Sequence, residues 1–100
     1  MNEKELEQLK AKAIPILKKY GAAKVALFGS RATGNAKFDS DYDLLIEFLP
    51  GSKVGLFKFQ SIEKQLTETL GATVDIATPK ALNRHIKNDV LKTAKVIYGK

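Results

Sequence analysis

An α/β or α+β fold is what this chain predicts, and three observations carry the prediction. Segments of helical period alternate with short apolar runs of strand length, glycine and proline fall between them, and 100 residues supply enough chain for one core. Residues 1–100 are therefore expected to form a single domain, burying about two-thirds of the surface that the unfolded chain exposes.

The first helix follows from Asn2 and Glu5, which are spaced as a capping box, and from Leu6, Leu9, Ala13, Ile16, Leu17 and Tyr20, which recur at helical spacing as far as Gly21. Pro15 should kink or break it. Lys24 to Phe28 reads as a short buried strand. Residues 41 to 48 alternate as a second strand, with Tyr42, Leu44, Ile46 and Phe48 on one face and Asp41, Asp43, Leu45 and Glu47 on the other; Pro50-Gly51-Ser52 ends it. Phe59, Ile62, Leu66 and Leu70 define the next helix, closed by Gly71. Thr73 to Ala77 is a third strand. Thr78-Pro79 is spaced as an N-cap and first helical residue, and Leu82, Ile86, Val90 and Leu91 line a last helix or helix pair before the apolar terminus Val96-Ile97-Tyr98. There is no repeat, linker or low-complexity segment.

The chemistry is concentrated in one constellation: Gly29-Ser30, a ten-residue spacer, then Asp41-Tyr42-Asp43. Asp41 and Asp43, two apart on a strand, point the same way with backbones about 6.5 to 7 Å apart, close enough to converge on a hard cation. A solvated strand edge would carry the same residues, and Asp-x-Asp taken alone favours that reading. Gly29-Ser30 follows a strand where a helix can begin, a place where backbone N–H groups favour anions; for the pair in isolation, an ordinary turn glycine with a capping serine is the better reading. The pattern as a whole, in a strand, turn, strand context, favours phosphate and metal.

Two-metal phosphoryl or nucleotidyl transfer asks for a third carboxylate. Asp75 supplies it, lying between Val74 and Ile76 in an apolar strand where an unpaired charge is costly; a strand at a solvated sheet edge is the alternative reading of the same residue. Asp39, in a loop, and Glu47, deeper along its strand, are weaker candidates, better read as solvated or paired with lysine. His85 has no partner motif.

Composition narrows the class further. Seventeen Lys plus Arg against eleven Asp plus Glu give a formal charge of +6, which suits polyanionic ligands such as nucleoside triphosphates. The lysines are dispersed and the aromatics sit at core positions, so no basic and aromatic stripe marks a nucleic-acid surface, and direct nucleic-acid binding is not expected. The chain has no cysteine, hence no disulfide framework and no thiolate metal site. A charged amino terminus and the lack of any membrane-length apolar run lead to the expectation of a soluble, cytoplasmic protein without membrane association.

The run Val25-Ala26-Leu27-Phe28-Gly29-Ser30-Arg31, with Asp41-Tyr42-Asp43-Leu44-Leu45-Ile46 after the spacer, resembles the nucleotidyltransferase superfamily. The short chain points to the minimal nucleotidyltransferase (MNT) branch, small stand-alone domains often encoded beside a HEPN-domain partner. The resemblance implies a small mixed β-sheet flanked by helices, the polymerase-β-like core. It implies that Gly29 and Ser30 hold the triphosphate of ATP, with Arg31 touching phosphate or pairing with a nearby aspartate. It further implies that Asp41, Asp43 and Asp75 bind two Mg²⁺ ions (Mn²⁺ being an alternative) and carry catalysis.

The implied activity is transfer of AMP from ATP to a hydroxyl, a tyrosine of a HEPN-type toxin, the chain acting as the antitoxin of a toxin–antitoxin system. One hundred residues leave no room for domains that grip base and acceptor, so a partner subunit or a second copy would complete the site. Two alternatives stay open: a non-catalytic module that neutralises its partner by masking the active site, and transfer to a small molecule or an RNA end.

Overall fold

In the computed structural model the described residues are 3–33, 41–79, 88 and 92–99. Their element order is α1 (Glu3–Lys19), β1 (Ala22–Phe28), α2 (Ser30–Thr33), β2 (Tyr42–Phe48), α3 (Leu56–Leu70), β3 (Val74–Ala77) and β4 (Lys95–Tyr98). The strands make one mixed sheet in the order β3-β2-β1-β4. β1 is antiparallel to both β2 and β4, whereas β2 and β3, joined through α3, run parallel. A parallel pair needs a crossover of about a dozen residues or more, and the 15 residues of α3 provide it.

Period-2 patterning decides which face is buried. Val25 and Leu27 of β1, Leu44 and Ile46 of β2, and Val74 and Ile76 of β3 turn to one side and meet Leu9, Ala13 and Leu17 of α1 and Ile62 and Leu66 of α3 in a single core. Tyr42 and Phe48 pack against the same core, as the alternation along β2 predicts. Among the described residues the opposite face carries Ala26 and Leu45 as its buried cluster, with Phe28, Ala77 and Ala94 beside them. Helices α1 and α3 thus cover one face, and the aspartates lie on the other.

Pro15 neither ends nor interrupts α1, which continues to Lys19. A proline costs one backbone hydrogen bond and crowds the preceding turn, but Leu9, Ala13 and Leu17, between 0% and 2% exposed, anchor the helix on both sides of it. The Tyr20 hydroxyl donates to Gln65 Oε1 at 2.9 Å and ties the end of α1 to α3. Gly71 closes α3 in the left-handed region (φ 70°), its N–H donating to the Thr67 carbonyl at 2.9 Å, the expected helix-ending glycine.

The terminal apolar run is a strand: residues 95–98 pair with β1, and Ile97 is buried. With one inward side chain in four residues, it offered no periodicity to read. β1 begins at Ala22 rather than Lys24, because small alanines extend the ladder through an irregular register that leaves no hydrophobic signal. Asn2 and the readings at Leu82, His85, Ile86, Val90 and Leu91 lie outside the described residues. Among the described residues no helix is long and apolar enough to cross a membrane.

Candidate active site

Parallel pairing of β2 with β3 sets Asp43 directly opposite Asp75, with Tyr42 opposite Val74 and Leu44 opposite Ile76 on the flanking positions. Since those flanking side chains are in the core, both aspartates occupy the open face on adjacent strands about 4.8 Å apart. Asp41 is exposed and immediately precedes β2, so its backbone is not held in the ladder as the alternation from residue 41 implied.

Partial burial raises the pKa of Asp43 above its ordinary 3.8, and the negative charges of Asp75 and then Asp41 raise it further. Asp43 therefore feels the charge of both other aspartates, although the three come from residues 41 to 75 of the chain. Asp75 itself is exposed.

Gly29 follows Phe28, which pairs with Asp43. Its φ is +76°, and a Cβ there would collide with Asp43 Oδ2. Glycine is thus required both by the turn and by the carboxylate lying against it. The Gly29 carbonyl accepts the Ala32 N–H at 3.1 Å, opening the short helix α2. Gly29→Ala is expected to cost about 1–2 kcal/mol of stability from the left-handed backbone alone. It should also push Asp43 aside, which is measurable as a drop in melting temperature together with weaker divalent-cation binding.

Arg31 of α2 stacks its guanidinium on the Tyr42 ring, 4.0 Å from the centroid. Together with Asp41 and Thr73 these two residues line a cleft of about 550 Å³ that reaches Gly71 at the end of α3. Of Ser30 only the backbone is described, at the first position of α2. Asp39 lies outside the described residues. Glu47 pairs with Lys24 at 3.9 Å across the β1–β2 ladder, the lysine pairing expected for it.

The reading of the sequence missed Glu63. This α3 carboxylate has its pKa raised by burial and then by Asp75, against a lowering hydrogen bond from the Ile76 N–H. Nothing in the helical periodicity separates it from the other polar residues of α3, because its importance comes from the strand beside it.

Among the described residues no three acidic or histidine side chains are gathered into a ready metal cage. The donor chemistry nevertheless fits a hard cation: carboxylate oxygens, with Asp43 repelled by the other two and held against a glycine that leaves it room. Mg²⁺ characteristically takes one or two carboxylates and completes its shell with water and substrate phosphate.

A nucleotidyltransferase domain model matches residues 10–97. The chain belongs to that family. Its enzyme class is accordingly that of the nucleotidyltransferases, and the mixed sheet with α1 and α3 on one face is the family's α+β architecture. Protein adenylyltransferase MntA of Thermococcus cleftensis is 35% identical over 82 residues, covering 80% of this chain and 77% of the relative. A solved structure of a candidate minimal nucleotidyltransferase superposes with TM-score 0.75 at 32% identity, over 94% of both chains. The structure of a tri-AMPylated Shewanella oneidensis HEPN toxin in complex with MNT antitoxin aligns with TM-score 0.74 over 95% of this chain and 73% of that one. At 16% identity that last likeness is one of fold.

Proposed function

We propose that this nucleotidyltransferase moves AMP from ATP to a tyrosine hydroxyl of a HEPN-type toxin and so acts as its antitoxin, the 100 residues serving as one minimal domain. The observation that carries the reading is the in-register pair Asp43 and Asp75 beside Gly29, with Asp41 adding charge to the same place. The relative named a protein adenylyltransferase and the fold-level likeness to an antitoxin bound to an AMPylated toxin support the choice of group transferred and of acceptor. Leu49, Leu56 and Phe57 stand exposed at 52%, 70% and 85%, apolar surface of the kind a protein partner covers.

In this reading Gly29, Ser30 and Arg31 hold the triphosphate, Arg31 being pre-oriented by its stacking on Tyr42. Asp41, Asp43 and Asp75 hold divalent cations, Mg²⁺ or Mn²⁺. Bound there, the ions would offset charge on the phosphates and lower the pKa of the acceptor hydroxyl. The protein's own part is to place three carboxylates at one end of a rigid sheet, so that nucleotide and hydroxyl meet in a fixed geometry. No histidine or lysine base is called for.

Label transfer tests the proposal. The purified chain, α-labelled ATP, Mg²⁺ and the product of the neighbouring HEPN gene are expected to give label on the toxin, lost on chelation and in the Asp41→Ala plus Asp43→Ala variant. No label, with neutralisation equal for wild type and variant, would assign the chain to the masking class instead.

A further inference from the structure

Among the described residues β3 pairs with β2 alone and is an edge of the sheet. In a parallel ladder alternate residues bond to the neighbouring strand. The Tyr42 N–H donates to the Thr73 carbonyl at 2.9 Å, which directs residues 73, 75 and 77 toward β2 and turns the N–H groups of Val74 and Ile76 outward. An edge normally leaves such groups to water or to a foreign strand.

Here α3 takes them. Thr67 Oγ1 accepts the Val74 N–H at 3.2 Å, and the Ile76 N–H acts on the Glu63 carboxylate, favouring its charged form. Glu63 and Thr67 are four residues apart, a rise of about 6 Å along a helix, while Val74 and Ile76 are about 6.6 Å apart along a strand. The two spacings match, so one helix flank stands in for a missing fifth strand. The residue between the two bonds is Asp75.

We propose that Glu63 and Thr67 are positioning residues that clamp the free edge of β3 and hold Asp75 opposite Asp43. The inference rests on the reading of Asp75 as a site carboxylate. Neither α3 residue touches the reacting atoms; each acts through the backbone on one side of Asp75. A strand held only by β2 could twist or fray at its edge, and displacement of a site group by about 1 Å can cost up to about a hundredfold in rate.

The test compares Thr67→Val, which keeps the shape and removes the acceptor, with Thr67→Ser, and Glu63→Met with Glu63→Gln, which keeps an acceptor oxygen without the charge. Amide hydrogen exchange is read at Val74 and Ile76, with the Leu45 amide, which by the same alternation faces β1 opposite Ala26, as the control for global stability. Thr67→Val should speed exchange at Val74, and Glu63→Met at Ile76, by at least about tenfold with Leu45 unchanged; the serine and glutamine variants should restore protection. Affinity for Mn²⁺ alone should fall about tenfold in the unclamped pair, and kcat for adenylyl transfer should fall similarly at unchanged KM for ATP, because triphosphate contacts are untouched. Unchanged exchange would show that there is no clamp. Faster exchange with unaltered Mn²⁺ affinity and kcat would show a clamp that does not position Asp75. Should the wild type transfer no label at all, the proposed activity falls, while exchange and Mn²⁺ affinity still decide the clamp.

Discussion

Asp43→Asn is expected to reduce nucleotidyl transfer by at least about a thousandfold while leaving the fold intact and more stable. Loss of activity follows from removing the carboxylate on which Asp41, Asp75 and Gly29 converge. Asparagine has the same shape, so the packing against Gly29 survives. The stability gain follows from the direction of the pKa shift. Folding raises the pKa of Asp43, so the native state holds this proton more tightly than the unfolded chain, and stability declines as pH rises from the ordinary value of 3.8 through the higher native one. The penalty is present in full above that native value, at neutral pH, and absent well below 3.8. Thermal melts of wild type and variant should therefore differ at pH 7 and converge at low pH. Added Mg²⁺ should raise the melting temperature of the wild type more than that of the variant, since a ligand stabilises by binding the native state. Equal transfer by both proteins would remove Asp43 from the mechanism.

Leu44→Ala, one residue further along the same strand, should do the reverse of what Asp43→Asn does to stability. Leu44 is 0% exposed on a central strand of the sheet and sits among the side chains of both helices. Truncating a buried leucine typically costs about 2–5 kcal/mol, through lost burial and the cavity left behind. For a domain of this size that is about 10–25 °C of melting temperature and a large share of total stability. Phe57→Ala is the control, because Phe57 is 85% exposed and should leave the melt within about 0.5 kcal/mol. If Leu44→Ala melted with the wild type, the assignment of faces along β2 would be wrong.

That assignment was legible in the sequence because the pattern along residues 42–48 is long, alternating and unambiguous. The same holds for Ile62 and Leu66 at helical spacing, and for Asp75 between two core residues. What could not be read depended on contacts distant in sequence. No periodicity announces that β3 runs parallel to β2 with Asp43 opposite Asp75, and this pairing, more than the motif, brings residues 32 apart into one place. Glu63 and the stacking of Arg31 on Tyr42 are of the same kind, each defined by a neighbour the local sequence does not name. The break that Pro15 offered is absent for the opposite reason: a strong local signal was overruled by burial on either side of it.

The strand that carries Asp75 is four residues long, and its neighbours in sequence, Val74 and Ile76, are both core side chains. Slipping it by one position against β2 would drive the carboxylate into hydrocarbon and turn an isoleucine out to water. Correct assembly and the placement of Asp75 are thus decided by a single alignment, and a molecule that has mispaired this edge is expected to be too unstable to persist beside the native form.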